Sequence, residues 1–167
     1  MDEYWTEIER EALKEANSYE EAADIAIAIL ARMRDLGQPI VQICGPMSTG
    51  GLGSLRENMQ RFQRAVDIAI AKGITVFNQV AFQEAIIRLS NYKEGSEEYG
   101  MDILERFYQR VFEAGYIDAF MFLPGWESSI GTRWEREVGS KLGIEVKEYP
   151  IEWLEEGLTH TPSGAPI

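Results

Sequence analysis

Apolar and polar positions along this chain follow two periods, and the switches between them divide it into helices and strands. Tyr4, Ile8, Ala12 and Ala16 recur at four-residue spacing among acidic residues, which predicts an amphipathic helix over residues 4–16. Ser18-Tyr19-Glu20-Glu21 has the form of a capping box, and Ala22, Ile25, Ile29, Met33 and Leu36 form an apolar stripe that Gly37 and Pro39 bring to an end. The period then changes. Pro39 to Cys44, with Ile40, Val41 and Ile43, reads as a first strand that runs straight into Gly45-Pro46-Met47-Ser48-Thr49-Gly50-Gly51-Leu52-Gly53. A second box, Ser54-Leu55-Arg56-Glu57, opens a helix that reaches Lys72 with Leu55, Met59, Phe62, Val66 and Ala69 inward.

Gly73 terminates that helix and Ile74 to Phe77 is the next strand, closed by Asn78-Gln79. Residues 80–89 read as helix, residues 91–100 as a polar surface loop and candidate lid, and residues 101–114 again as helix. Ile117 to Leu123, broken only by Asp118, is a buried parallel strand. A glycine-bearing loop through Pro124, Gly125 and Trp126 leads from it into a helix from Arg133 to Leu142. Ile144-Glu145-Val146 is a short last strand, Ile151 to Leu158 a short amphipathic turn, and residues 159–167 a flexible tail.

Strands separated by helices imply right-handed crossovers and a parallel sheet. Winding outward from the first strand gives the order 2-1-3-4 in a flavodoxin-like (Rossmann-like) three-layer α/β sandwich, with four to five strands. The organisation expected is an N-terminal helical extension (1–37), an α/β domain (38–158) and the tail. In such sheets ligands sit at the switch point, here between strands one and three, which sets Gly45-Pro46-Met47-Ser48 beside Pro124-Gly125-Trp126.

Composition narrows the partners. A length of 167 residues suits one core, and a formal net charge of -12 argues against nucleic acid or an anionic membrane as the general partner. A local pocket can still take an anionic small molecule. Cys44 is the one cysteine, so no intramolecular disulfide is expected and a cytoplasmic setting follows. No apolar run is long enough for a membrane span, and Asp2 and Glu3 ahead of any apolar run do not read as a signal peptide. The only histidine, His160, lies in the tail, and no Cys/His cluster predicts a metal site; no cofactor is expected.

The chemistry concentrates after the third strand. Thr132-Arg133-Trp134-Glu135 reads as a capping box, or else Glu135 is a carboxylate pointed into the cleft and suited to attack on a sugar carbon. The two need different rotamers. Ser128, Ser129 and Gly131 offer hydroxyls and amides at a helix start, as a cap or as an anion site. Trp126 and Trp134 would stack on a base or simply pack. Asp118 in a buried strand needs hydrogen bonds, at a site or to a neighbouring loop. The loop at Gly45 matches neither the Walker pattern nor the dinucleotide fingerprint.

These residues together resemble the nucleoside 2-deoxyribosyltransferase-like superfamily, in its small bacterial and phage-type branch, over roughly residues 39–149. The resemblance runs through Ile43-Cys44-Gly45-Pro46-Met47-Ser48, Asn58 with Phe62, Gly73, Asn78, the segment Asp118 to Glu127, Ser129, Gly131, Glu135 and Leu142-Gly143. It implies that Glu135 attacks C1′ of a nucleoside or nucleoside monophosphate, and that a nucleobase or water then resolves the sugar ester with retention. Asp118 is grouped with Glu135 as catalytic; Gly45, Pro46, Met47, Ser48, Asn78, Trp126, Ser129 and Gly131 bind the substrate, Ser129 at its phosphate. A homo-oligomer, dimer or higher, is also implied. One position departs. Eight residues before Asp118, where catalytic members commonly carry an aspartate that protonates the leaving base, this chain has Arg110. Asp102, Glu105 or Glu113 would have to substitute, or Arg110 would contact an anion in a non-catalytic nucleotide-binding protein. Gly131-Thr132-Arg133-Trp134-Glu135 is similar to a turn of lysine-decarboxylase-like phosphoribohydrolases, without their preceding double glycine. A third possibility is a structural protein whose acidic N-terminal helices dock a partner.

Overall fold

The computed structural model describes residues 3–47, 50–90 and 101–159. Ser48, the candidate lid at 91–100, His160 and all but the first residue of the expected tail lie outside them. Helix α1 (Glu7–Glu15) and helix α2 (Tyr19–Arg34) precede strand β1 (Ile40–Cys44), helix α3 (Leu55–Ala71) and strand β2 (Thr75–Val76). A 3-10 turn (Gln79–Phe82) then leads into α4 (Gln83–Ser90). Next, α5 (Met101–Ile103), a π-helical segment (Leu104–Tyr108) and α6 (Gln109–Glu113) run end to end. Strand β3 (Ala119–Phe122), a 3-10 turn (Trp126–Ser128), α7 (Ile130–Leu142), β4 (Glu145–Glu148) and α8 (Ile151–Thr159) complete the order.

The four strands form one parallel sheet in the order β2-β1-β3-β4, as the alternation of elements predicts. Helices cover both faces, making a flavodoxin-like three-layer sandwich. Side chains alternate across a strand, and the two cores follow that alternation. Ile40, Cys44, Phe120 and Phe122 pack with α2, α4, the π-helical segment and α6. Val41, Ile43, Ala119, Met121 and Leu123 pack with Phe62, Ala65, Val66 and Ala69 of α3 and with Leu154 of α8.

The N-terminal helical pair, expected as an extension that packs on the core or on another subunit, packs into the first core. Leu13, Tyr19, Ala22, Ala26, Leu30 and Met33 are buried there beside Ile40 and Phe82. The stripe read for the first helix agrees with the buried face at Ala16 but not at Ile8, which is 82% exposed, or at Ala12; Leu13 is inward instead. Thr6 and Glu9 form a reciprocal capping box, so α1 begins after Tyr4, later than the pattern predicts.

Candidate functional site

Strand alternation places Gln42 and Cys44 on the same face of β1, toward α7. Helix α7 starts three residues earlier than its sequence pattern predicts. Its cap is Ser129, in extended conformation, whose Oγ accepts the Thr132 amide at 3.3 Å. Thr132, Glu135 and Gly139 then share the inward face and are all buried. Gly139 lets that face come close, because a Cβ there would meet the ring of Phe120 at 2.5 Å. One turn earlier, the same approach brings Glu135 onto β1. Gln42 Nε2 donates to Glu135 Oε2 at 3.0 Å, and the Cys44 thiol also hydrogen-bonds to the carboxyl group.

The capping-box reading of Thr132-x-x-Glu135 is thereby replaced. Ser129 caps the helix, and Glu135 stands in its second turn with its side chain committed to β1. Glu135 is 7% exposed and has no cationic partner among the described residues. Burial pushes its carboxyl up to about 7, partly opposed by the hydrogen bonds from Cys44 and Gln42. Burial and the neighbouring carboxylate push the Cys44 thiol well up, so it stays protonated and serves as a donor rather than as a nucleophile.

The two loops set side by side by the switch point do meet. Ser128 Oγ accepts the Gly51 amide at 2.7 Å and donates to the Gly125 carbonyl at 2.6 Å. Gly50 has φ +68° and lies against the Ser128 carbonyl, where a Cβ would not fit. Asn58, buried in the first turn of α3, staples the glycine loop from inside. Its Nδ2 donates to the carbonyls of Met47 and Gly50 at 2.9 and 3.0 Å, and its Oδ1 accepts the Leu52 amide at 2.8 Å. Gly45, Pro46 and Met47 are buried beneath. Asn78 caps the 3-10 turn, its Oδ1 accepting the Val80 amide at 3.1 Å.

Other expected site residues lie elsewhere. Asp118 precedes β3, at the end of the strand opposite the loops of the switch point. It accepts the Ile40 amide at 2.8 Å and pairs with Arg34 at 3.3 Å, so it ties β3 to β1 and α2 instead of joining Glu135. Arg110 is exposed on α6 and pairs with Asp24 of α2 at 2.8 Å. Asp102 is exposed on α5, in the electrostatic field of Tyr19 and Arg106. Trp126 packs on Phe122, and the Arg136 guanidinium covers its ring at 4.2 Å. Trp134 lies against Phe112. Gly131 sits in the first turn of α7 against Leu104 of the π-helical segment.

Two residues to which the sequence reading gave no role, Gln42 and Gln79, belong to the site or its edge. Gln42 is fully buried and its Oε1 has no partner; Thr132 Oγ1, in the turn already singled out, is in the same condition. Gln79 donates from Nε2 to the Ile43 carbonyl at 3.1 Å, continuing the β1–β2 ladder with a side chain, while its Oε1 is unpartnered. The signal for Gln42 was one amide inside the apolar run Ile40-Val41-Gln42-Ile43-Cys44. Among the described residues no group of three or more His, Cys, Asp or Glu could hold a metal ion, and no helix is long and apolar enough to cross a membrane.

These features define a flavodoxin-like α/β protein with a buried carboxylate beside the switch point of its sheet. The chain belongs to the family described as a domain of unknown function (DUF4406), whose model matches residues 39–148, from the start of β1 to the end of β4. No curated protein and no solved structure matches it.

Proposed function

We propose that this protein cleaves or transfers at the N-glycosidic bond of a nucleoside or nucleoside monophosphate, with Glu135 as the nucleophile. The observation that carries the reading is the Glu135 carboxylate buried on Gln42 and Cys44, next to the loops that meet at Gly51 and Ser128. The motif resemblance supports the same residue. In the first step a carboxylate oxygen bonds to C1′ while the C1′–N bond breaks; the base leaves with the electron pair and takes up a proton. In the second, water or another base displaces the ester oxygen and regenerates the carboxylate, giving net retention. Ser129 and the first amides of α7 provide donors for a phosphate or sugar oxygen. We further propose that the protein works in the cytoplasm as a homo-oligomer.

A second reading, a nucleotide-binding protein without turnover, is favoured by one observation. Arg110 occupies the expected acid position and is engaged with Asp24, and among the described residues no second carboxyl group hydrogen-bonds to Gln42, Cys44 or Glu135. The test is incubation with a panel of nucleosides and nucleoside monophosphates, reading free base by chromatography and a sugar adduct by intact mass. Base release and an adduct, both abolished in Glu135→Gln, are expected. Stabilisation by a nucleotide with no base release would select the second reading, and unchanged release by Glu135→Gln would overturn the first.

A further inference from the structure

Arg61 and Arg64 lie about one turn apart on a flank of α3, to the side of the face formed by Asn58, Phe62, Ala65, Val66 and Ala69. With Leu52, Glu57 and Gln60 they line a groove of about 550 Å³. Other arginines of this acidic chain find carboxylates: Arg32 pairs with Glu9, Arg106 with Glu20, Arg110 with Asp24 and Arg136 with Glu148. Arg61 and Arg64 have no such partner among the described residues. Nε and Nη2 of Arg61 and Nε of Arg64 are buried without an acceptor, and Arg64 reaches only the Leu154 carbonyl, at 3.5 Å. Glu57, though at the groove, is held by the Ser54 hydroxyl at 3.2 Å.

Buried donors without acceptors are costly, more so when charged. Two guanidinium groups close together add repulsion: burial and the charge of Arg64 hold Arg61 below its ordinary value. A carboxylate would neutralise one of these charges. A phosphate would address both, because it carries up to two charges and three oxygens on which guanidinium forks dock. The groove is larger than a free ion requires and falls in the range of small-molecule sites.

We propose that this groove binds the phosphate of a small phosphorylated molecule, with Arg61 and Arg64 donating to its oxygens, Gln60 as an additional polar contact and Leu52 as an apolar wall. The site is distinct from Glu135, since none of its lining residues hydrogen-bonds to Gln42, Cys44 or Glu135. It therefore stands whether or not the proposed reaction does. Leu52 links the groove to the loops at the switch point: its amide is held by Asn58 in the same loop that Gly51 ties to Ser128.

The test is titration of the wild-type protein with glycerol 3-phosphate and, separately, inorganic phosphate, following arginine Nε–Hε signals by NMR against chloride at matched ionic strength. Saturable shifts are expected at the signals that disappear in Arg61→Lys and Arg64→Lys. Calorimetry should show the glycerol 3-phosphate Kd raised by about tenfold or more in R61Q/R64Q, whose fold is checked by circular dichroism. Tighter binding of glycerol 3-phosphate than of inorganic phosphate supports a phosphorylated metabolite; equal binding assigns the groove to the free anion and overturns that choice. No saturable shift in the wild-type protein overturns the site itself. Binding that survives in R61Q/R64Q but is lost in Ser129→Ala would move the anion to the start of α7.

Discussion

Gln42 and Glu135 are separated by 93 positions in the chain and joined by one hydrogen bond, Nε2 to Oε2 at 3.0 Å, in a buried site. The amide helps to keep the carboxylate charged in surroundings that favour the neutral acid. Gln42→Leu removes that donor while keeping much of the volume. The Glu135 titration should move up by about one unit, the range expected for a hydrogen bond to a charged group. Carbon-detected NMR of the carboxyl group reads the shift directly, and an unchanged midpoint would show that Gln42 has no hold on the ionisation.

Glu135 should also make stability depend on pH. Its carboxyl is raised from 4.5 to about 7 in the folded chain, so between these values the folded state holds a proton that the unfolded state has lost. Stability should therefore fall as pH rises from 4.5 to about 7 and level off above, a loss of about 3 kcal/mol from this group. Denaturant titrations across that window should show the slope in the wild type and its absence in Glu135→Gln. If Glu135 attacks as a carboxylate, kcat/KM should rise over the upper part of the same window, with its midpoint near 7.

Asp118 and Glu135 should separate cleanly by mutation. Asp118→Ala deprives the Ile40 amide of its acceptor and Arg34 of its partner, and should cost about 1–3 kcal/mol of stability. Base release measured well below the melting temperature should be unaffected. A large fall in turnover with unchanged stability would return Asp118 to the catalytic group. Arg110→Ala, on the exposed pair with Asp24, should leave both melting temperature and base release close to wild type.

Asn58 makes three hydrogen bonds to the glycine loop from a position that is 1% exposed. Asn58→Ala should cost about 3 kcal/mol, at roughly 1 kcal/mol for each bond lost. Because the loop rests on Ser128, substrate KM should rise more than kcat falls. Equal hydrogen-exchange protection of the Gly51 and Leu52 amides in variant and wild type would contradict this.

The layer structure was legible in the chain because it rests on local periodicity. The strand order 2-1-3-4 followed from alternation of elements and handedness, and the meeting of the Gly45 and Gly125 loops followed from the order. Glu135 was legible as a residue but not in its role at the helix start. Thr132-x-x-Glu135 and Ser129-x-x-Thr132 offer competing starts to the helix, and a sequence window does not weigh them. The glycine contact at Phe120 and the amide of Gln42, both from distant strands, favour the start that leaves Glu135 inward.

Asp118 carries the same lesson from the other side. A carboxylate in an apolar strand announces that it needs partners, and that much is a matter of desolvation, which any buried charge obeys. Which end of the sheet supplies them depends on Ile40 and Arg34, which lie 78 and 84 positions away. By itself, then, the sequence determined the elements, their parallel order and the switch point where the order reverses and two loops meet, because these rest on short-range pattern and chain handedness. Only the tertiary structure decided that Glu135 is held by Gln42, that Asp118 ties the far end of the sheet, and that Arg61 and Arg64 have no carboxylate partner among the described residues. Pairing and burial are properties of neighbours in space, and the positions that meet there are distant in the chain.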